Sequence, residues 1–187
     1  MSKLRFYIFL IAAVFILAFS SLSHAQGFTD PVAGEMFHYL SQSYSDSHKA
    51  LDITGFSKGA AYTIKGQPVV AAKSGKVIYA DWETDKDKID PVTKKIISYT
   101  EIGCGKMVII DHGDGTATKS CHLNDFNKED GTPLTAGTPD KPVTVNQGAK
   151  IGSVDNTGHS SGNHLHFVIK NCSAGSPVSL KDFYNKN

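Results

Sequence analysis

Two pairs of residues in this sequence have the side-chain chemistry and spacing to hold a metal ion. The first lies in Asn163-His164-Leu165-His166-Phe167, where one residue separates two imidazoles. On a strand, positions i and i+2 project from the same face, so His164 and His166 address one point while Leu165 and Phe167 pack into a core. The plain alternative is two half-exposed polar residues. The second pair is His48 and Asp52 in His48-Lys49-Ala50-Leu51-Asp52. Residues four apart share a face on a strand and on a helix alike, although such a pair by itself is ordinary surface decoration. Taken together, the two pairs offer the borderline nitrogens and hard oxygen that zinc accepts in a three-ligand catalytic site, with the fourth position left for water.

The elements that must position these residues read as β-structure. From about Gln67 onward, short apolar or alternating runs span Pro68 to Ala72, Gly75 to Ala80, Lys106 to Asp111, Thr116 to His122, Val143 to Val145 and Leu165 to Ile169. His112-Gly113-Asp114-Gly115 reads as a hairpin tip, because two glycines supply the positive φ of a tight reversal. Two stretches, Asp81 to Gly103 and Asn124 to Pro142, read as inserted surface loops of the kind found near sites. Glu35 to Leu40 and Leu180 to Tyr184 read as helical turns. Neither repeats nor low-complexity tracts occur.

The other histidines carry weaker expectations. His38 reads as a surface or packing residue, His112 as part of a turn, and His159 as a residue of the cleft or of a solvated loop. Trp82 and Tyr99 flank the first insertion and either pack on substrate or seal a local cluster. Three cysteines, Cys104, Cys121 and Cys172, predict one disulfide and one remaining thiol in an oxidising compartment. If Lys106 to Asp111 pairs with Thr116 to Cys121, then Cys104 and Cys121 share a face and His122 points to the other. As diagonal neighbours those cysteines need a bulge or register shift to bond. Cys104 with Cys121 is the favoured pair, with Cys172 a competitor. No Cys-x-x-Cys spacing occurs, which argues against a cysteine-based zinc site.

The N-terminus combines Lys3 and Arg5, an apolar run from Phe6 to about Phe19, and small residues before Ala25. This is the layout of a secretory signal peptide cleaved after Ala25, the alternative being an uncleaved anchor. The 187 residues carry 19 basic and 18 acidic side chains, and removal of residues 1–25 takes away only Lys3 and Arg5. Such a balance attracts neither nucleic acid nor an anionic membrane. The expected product is exported, periplasmic or secreted, with no stable membrane insertion after cleavage.

In their order along the chain, these residues resemble the lysostaphin-like, or LytM-type, zinc endopeptidases of bacterial cell walls. The resemblance is carried by His48 to Asp52, Gly66-Gln67-Pro68-Val69-Val70-Ala71-Ala72, His122-Leu123 and Ser161-Gly162-Asn163-His164-Leu165-His166-Phe167. Gly75-Lys76-Val77, His112 to Thr116, Gly148 to Gly152 and Thr157-Gly158 also fit it, so that it runs from about Pro31 to Tyr184. It implies one zinc ion per chain held by His48, Asp52 and His166, with His122 and His164 catalytic beside the metal. One of these two would move the proton of the attacking water and the other would support the oxyanion, in an order left open. The substrate implied is a peptide crosslink of peptidoglycan, between D-amino acids or in a glycine bridge. The fold implied is mainly β: residues 26–47 lead into a single domain, 48–187, built on an antiparallel sheet with long loops walling a zinc-containing groove. Departures stand at Ala50, Ser120, Asn163 and Val168, where the family often has glycine, tyrosine, proline and glutamate; none is a proposed ligand. The alternatives are an inactive wall-binding or hydrolase-activating relative and a secreted protease of glycine-rich proteins.

Overall fold

The computed structural model describes residues 27–34, 38–55, 64–83 and 103–172. Its strands are β1 (His38–Gln42), β2 (Leu51–Gly55), β3 (Pro68–Val70), β4 (Gly75–Trp82), β5 (Lys106–Asp111), β6 (Thr116–Cys121), β7 (Leu123–Asp125), β8 (Thr144–Val145), β9 (Lys150–Val154) and β10 (Leu165–Asn171). They form a seven-stranded sheet, in the order β1-β2-β10-β6-β5-β4-β8, and a three-stranded sheet, β3-β9-β7. Every pairing is antiparallel. Among the described residues no helix is long and apolar enough to cross a membrane.

Alternation along the strands divides the large sheet into two faces. Ile53, Val77, Val108, Ile110, Leu165 and Phe167 join Val69, Leu123, Ile151 and Val154 of the small sheet in the main core. Residues between them project the other way, and there Met107, Ile109, Cys104 and Cys121 form a second apolar cluster. His166 and Asp52 belong to that second face, since their neighbours Leu165, Phe167 and Ile53 lie in the core. A one-residue register slip would bury both polar side chains and expose the apolar ones, so core packing fixes the face on which the site stands.

The β5–β6 hairpin turns where expected, with Gly113 at φ 76° and Gly115 at φ 85°. The reading of Glu35 to Leu40 as a helical turn is corrected for its described part: His38 to Leu40 extend into β1, which pairs with β2. Pairing with a neighbouring strand overrides a weak local preference. The segment Leu180 to Tyr184 lies outside the described residues, as does the signal-like N-terminus.

The disulfide joins Cys104 and Cys121, with Cα atoms 4.8 Å apart. Cys172, just beyond β10, takes no part in it. The break in the ladder that this bond requires is supplied by Gly105 at φ 60° and His122 at φ 61°, which bend both chains beyond the hairpin. The amide of His122 then donates to the Cys104 carbonyl at 2.8 Å.

Candidate metal centre and catalytic groove

Asp52 on β2 and His166 on β10 are direct cross-strand partners. His166 also faces Cys121 of β6, which places it in the interior of the sheet. His48 lies in the coil before β2, where its amide donates to the Ser45 carbonyl at 3.2 Å and to Ser45 Oγ at 3.0 Å. The three side chains converge. Asp52 Oδ1 is 2.8 Å from His166 Nδ1 and 3.2 Å from His48 Nε2. Four ligands at zinc bond lengths of about 2.0–2.1 Å are separated by about 3.3 Å when tetrahedral. Two of the three donor pairs therefore lie near such an edge length, all three donor atoms lie within 4.8 Å of one another, and their chemistry fits zinc. A second trio, His122, His164 and His166, also has its donor atoms mutually close and shares His166 with the first.

His122 and His164 flank this point, with ring centroids 4.7 Å apart. His164 Nε2 is 3.7 Å from Asp52 Oδ1, and its Nδ1 faces the Gly162 carbonyl at 2.9 Å and Ser160 Oγ at 3.3 Å. His122 is buried, and its Nδ1 lies 2.7 Å from the Thr157 carbonyl. That contact assigns the proton to Nδ1 and leaves Nε2 as an acceptor. Strand parity predicted that His122 would point away from the face holding Cys104 and Cys121. Instead it lines the same groove, because its left-handed backbone redirects the side chain; His122 is the sole non-glycine residue with positive φ among those described.

Burial sets the charge state here. Desolvation is the leading cause that lowers the His122 pKa, from 6.5 to about 4, and the Thr157 carbonyl offsets only part of it. His166 is lowered as well, chiefly by burial, against the opposing pull of Asp52. Between pH 4 and 6.5 the unfolded chain therefore binds protons that folded His122 refuses. Stability of the metal-free protein should rise with pH across that window, and acidification should remove up to about 3 kcal/mol on account of His122. Urea denaturation at pH 4, 5, 6 and 7 measures this slope. It should shrink in a His122→Gln protein, and equal slopes in the two proteins would contradict the assignment.

The groove has a volume of about 550 Å³. Beyond the five polar residues named above it is lined by Glu83 and Gly103, from the two ends of the first predicted insertion, and by Cys104, Lys119 and His159. None of its described lining comes from 124–142, whose Leu134 is buried in the main core. His112 stands apart from the groove, 3.0 Å from the Ser74 carbonyl and 3.2 Å from Thr118 Oγ1, in the structural role expected of it. Sequence reading passed over Glu83 and Lys119. A buried Lys119 next to a buried Glu83 leaves no spacing signal, because the two are far apart in sequence and meet only across the fold. Thr157 was noted only as part of a matching dipeptide, and a backbone carbonyl that orients a ring carries no side-chain signature.

The chain belongs to peptidase family M23, whose match covers residues 55–179 and includes His122, His164 and His166. The match begins after His48 and Asp52. A zinc containing peptidase from Vibrio cholerae shares the fold at 18% identity and a TM-score of 0.51, over 82% of this chain. This chain spans only 41% of that structure. Similar too are the catalytic domain of the antimicrobial peptidase lysostaphin from Staphylococcus simulans (22% identity, TM-score 0.45, 80% of each chain) and that of the prophage-encoded M23 protein EnpA from Enterococcus faecalis, in mutant form (18%, 0.45, 88% of this chain and 99% of that one). No curated protein matches the chain. Family membership makes peptidase activity the kind of function to be explained.

Proposed function

We propose that the chain is a zinc-dependent endopeptidase that hydrolyses peptide crosslinks of bacterial peptidoglycan. His48, Asp52 and His166 hold one zinc ion, and His122 and His164 act beside it. The observation that carries this reading is the approach of His48 Nε2 and His166 Nδ1 to a single oxygen of Asp52, at 3.2 and 2.8 Å, with two further imidazoles alongside. The set containing Asp52 is preferred to the all-histidine set because a carboxylate offsets part of the dication's charge, in a groove that also contains Lys119. When bound, zinc supplies Lewis-acid polarisation of the scissile carbonyl and makes water more acidic.

The chain's own residues do the rest. His122, neutral and with its Nδ1 proton held by Thr157, offers Nε2 to take a proton from the attacking water and return it to the leaving amine. His164, held through Nδ1 by Gly162, stands within reach of the developing oxyanion and supports it through Nε2 when protonated there. The open groove admits an extended peptide. We also read residues 1–25 as a cleaved signal and 48–187 as the peptidase domain, and the Cys104–Cys121 bond supports residence in an oxidising compartment.

The test uses the protein from Gln26 onward. Metal analysis should find one zinc per chain, and mass spectrometry of digested peptidoglycan should show crosslinked fragments giving way to their halves. A folded, metal-free protein that binds wall material without cutting it would instead identify a non-enzymatic relative.

A further inference from the structure

The geometry of His122 depends on two segments remote from it in sequence. The Cys104 carbonyl accepts its amide proton at 2.8 Å, and the Thr157 carbonyl accepts its ring proton at 2.7 Å. Both carbonyls are tied to residues 103–105. A Cβ added to Gly105 would meet the Thr157 carbonyl carbon at 2.4 Å, so this turn is in direct backbone contact with Thr157. The Gly103 carbonyl accepts the His159 amide at 2.9 Å, and Thr157 Oγ1 accepts the Lys106 amide at 3.1 Å while donating to the Leu123 carbonyl at 2.8 Å. His122, the 103–105 turn and Thr157 thus form a closed ring of contacts.

The covalent side-chain link within that ring is Cys104–Cys121, and Cys121 is the residue immediately before His122. Left-handed backbone at a non-glycine residue costs on the order of 1–3 kcal/mol and persists only where its surroundings impose it. A bond that fixes the preceding residue against the turn imposes it directly. We propose that the Cys104–Cys121 disulfide is a positioning device for His122, so that the chain becomes competent for catalysis only after these two thiols have been oxidised. The proposal rests on the peptidase reading of His122 given above. Oxidation proceeds by thiol–disulfide exchange: the two thiols lose two protons and two electrons to form the bond, and an external disulfide takes them up to become two thiols. Cys104 is 7% exposed and Cys121 0%, so the finished bond is shielded from soluble reductants and its formation acts as an assembly step rather than a reversible toggle.

The test compares the oxidised protein with a Cys104→Ala/Cys121→Ala double variant, and with wild-type chain folded in a phosphine reductant. Zinc content and KM for a crosslinked muropeptide should be unchanged in both, while kcat falls at least tenfold. In a His122→Ala background, breaking the disulfide should lower kcat less than twofold further. In histidine-labelled protein the Nδ1 proton held by Thr157 should give a slowly exchanging NMR signal that is lost when the bond is absent. Cys172→Ala should alter none of these. The proposal is overturned by full kcat in a zinc-loaded reduced protein, by losses that multiply in the His122→Ala background, or by a retained ring-proton signal. A reduced chain that fails to fold also overturns it, since the bond would then serve stability at large. Oxidised wild-type protein that holds zinc and cuts nothing refutes the peptidase reading, whereas the NMR signal still decides the positioning role.

Discussion

Replacing His166 with alanine should strip the protein of zinc and of hydrolysis together. His166 is common to both trios of converging donors, so its loss dismantles whichever of them holds the metal. Losing an outer-shell partner already weakens a metal site about 10–100-fold, and a direct ligand should cost more. Without the ion the reaction loses several kcal/mol of charge stabilisation, a rate loss on the order of 10³-fold or greater. The fold should survive, because His166 sits on the groove face and its apolar neighbours Leu165 and Phe167 carry the packing of β10. Metal analysis, circular dichroism and peptidoglycan digestion check the three parts. Stoichiometric zinc in this variant would refute the ligand assignment.

His122→Ala should separate what His166→Ala removes together. Zinc should remain at one per chain while kcat falls about 10²–10⁴-fold, the usual contribution of a general acid–base group. Loss of zinc would instead transfer the metal to the trio of His122, His164 and His166. Alanine at φ 61° carries backbone strain of about 1–2 kcal/mol, so His122→Asn is the better companion. Asparagine tolerates the left-handed region and should reproduce the loss of rate with less disturbance of the turn.

The site was more legible in the sequence than the path that builds it. His164 and His166 announce themselves by their spacing, although β10 begins at Leu165 and so carries only His166 as a strand residue, with His164 in the segment just before it. β5 runs from Lys106 to Asp111, where the apolar run predicted it, and the β5–β6 reversal follows from its glycines. By contrast β9 passed unread as a strand, because Gly152 interrupts its apolar run. That glycine is required: a Cβ there would meet the Asp125 carbonyl oxygen at 2.5 Å. β1 was misread because its residues gain their conformation from pairing with β2, which no local pattern encodes. The direction of His122 was lost for a related reason, since parity holds only while the backbone stays extended.

The place of β10 has a consequence for how the molecule comes into being. The last of the described strands lies between β2 and β6, near the middle of the large sheet, and the contact of His166 with Asp52 spans 114 residues. A chain emerging from its N-terminus holds β1–β2 and β4–β5–β6 as two pieces with an open seam until β10 fills it. Closing so long a loop is slow and comes late, so the proposed ligand set is among the last features to form. On the proposed ligand set, a chain in which β10 has not yet joined β2 has no assembled centre, and metal uptake would report the closing of that seam.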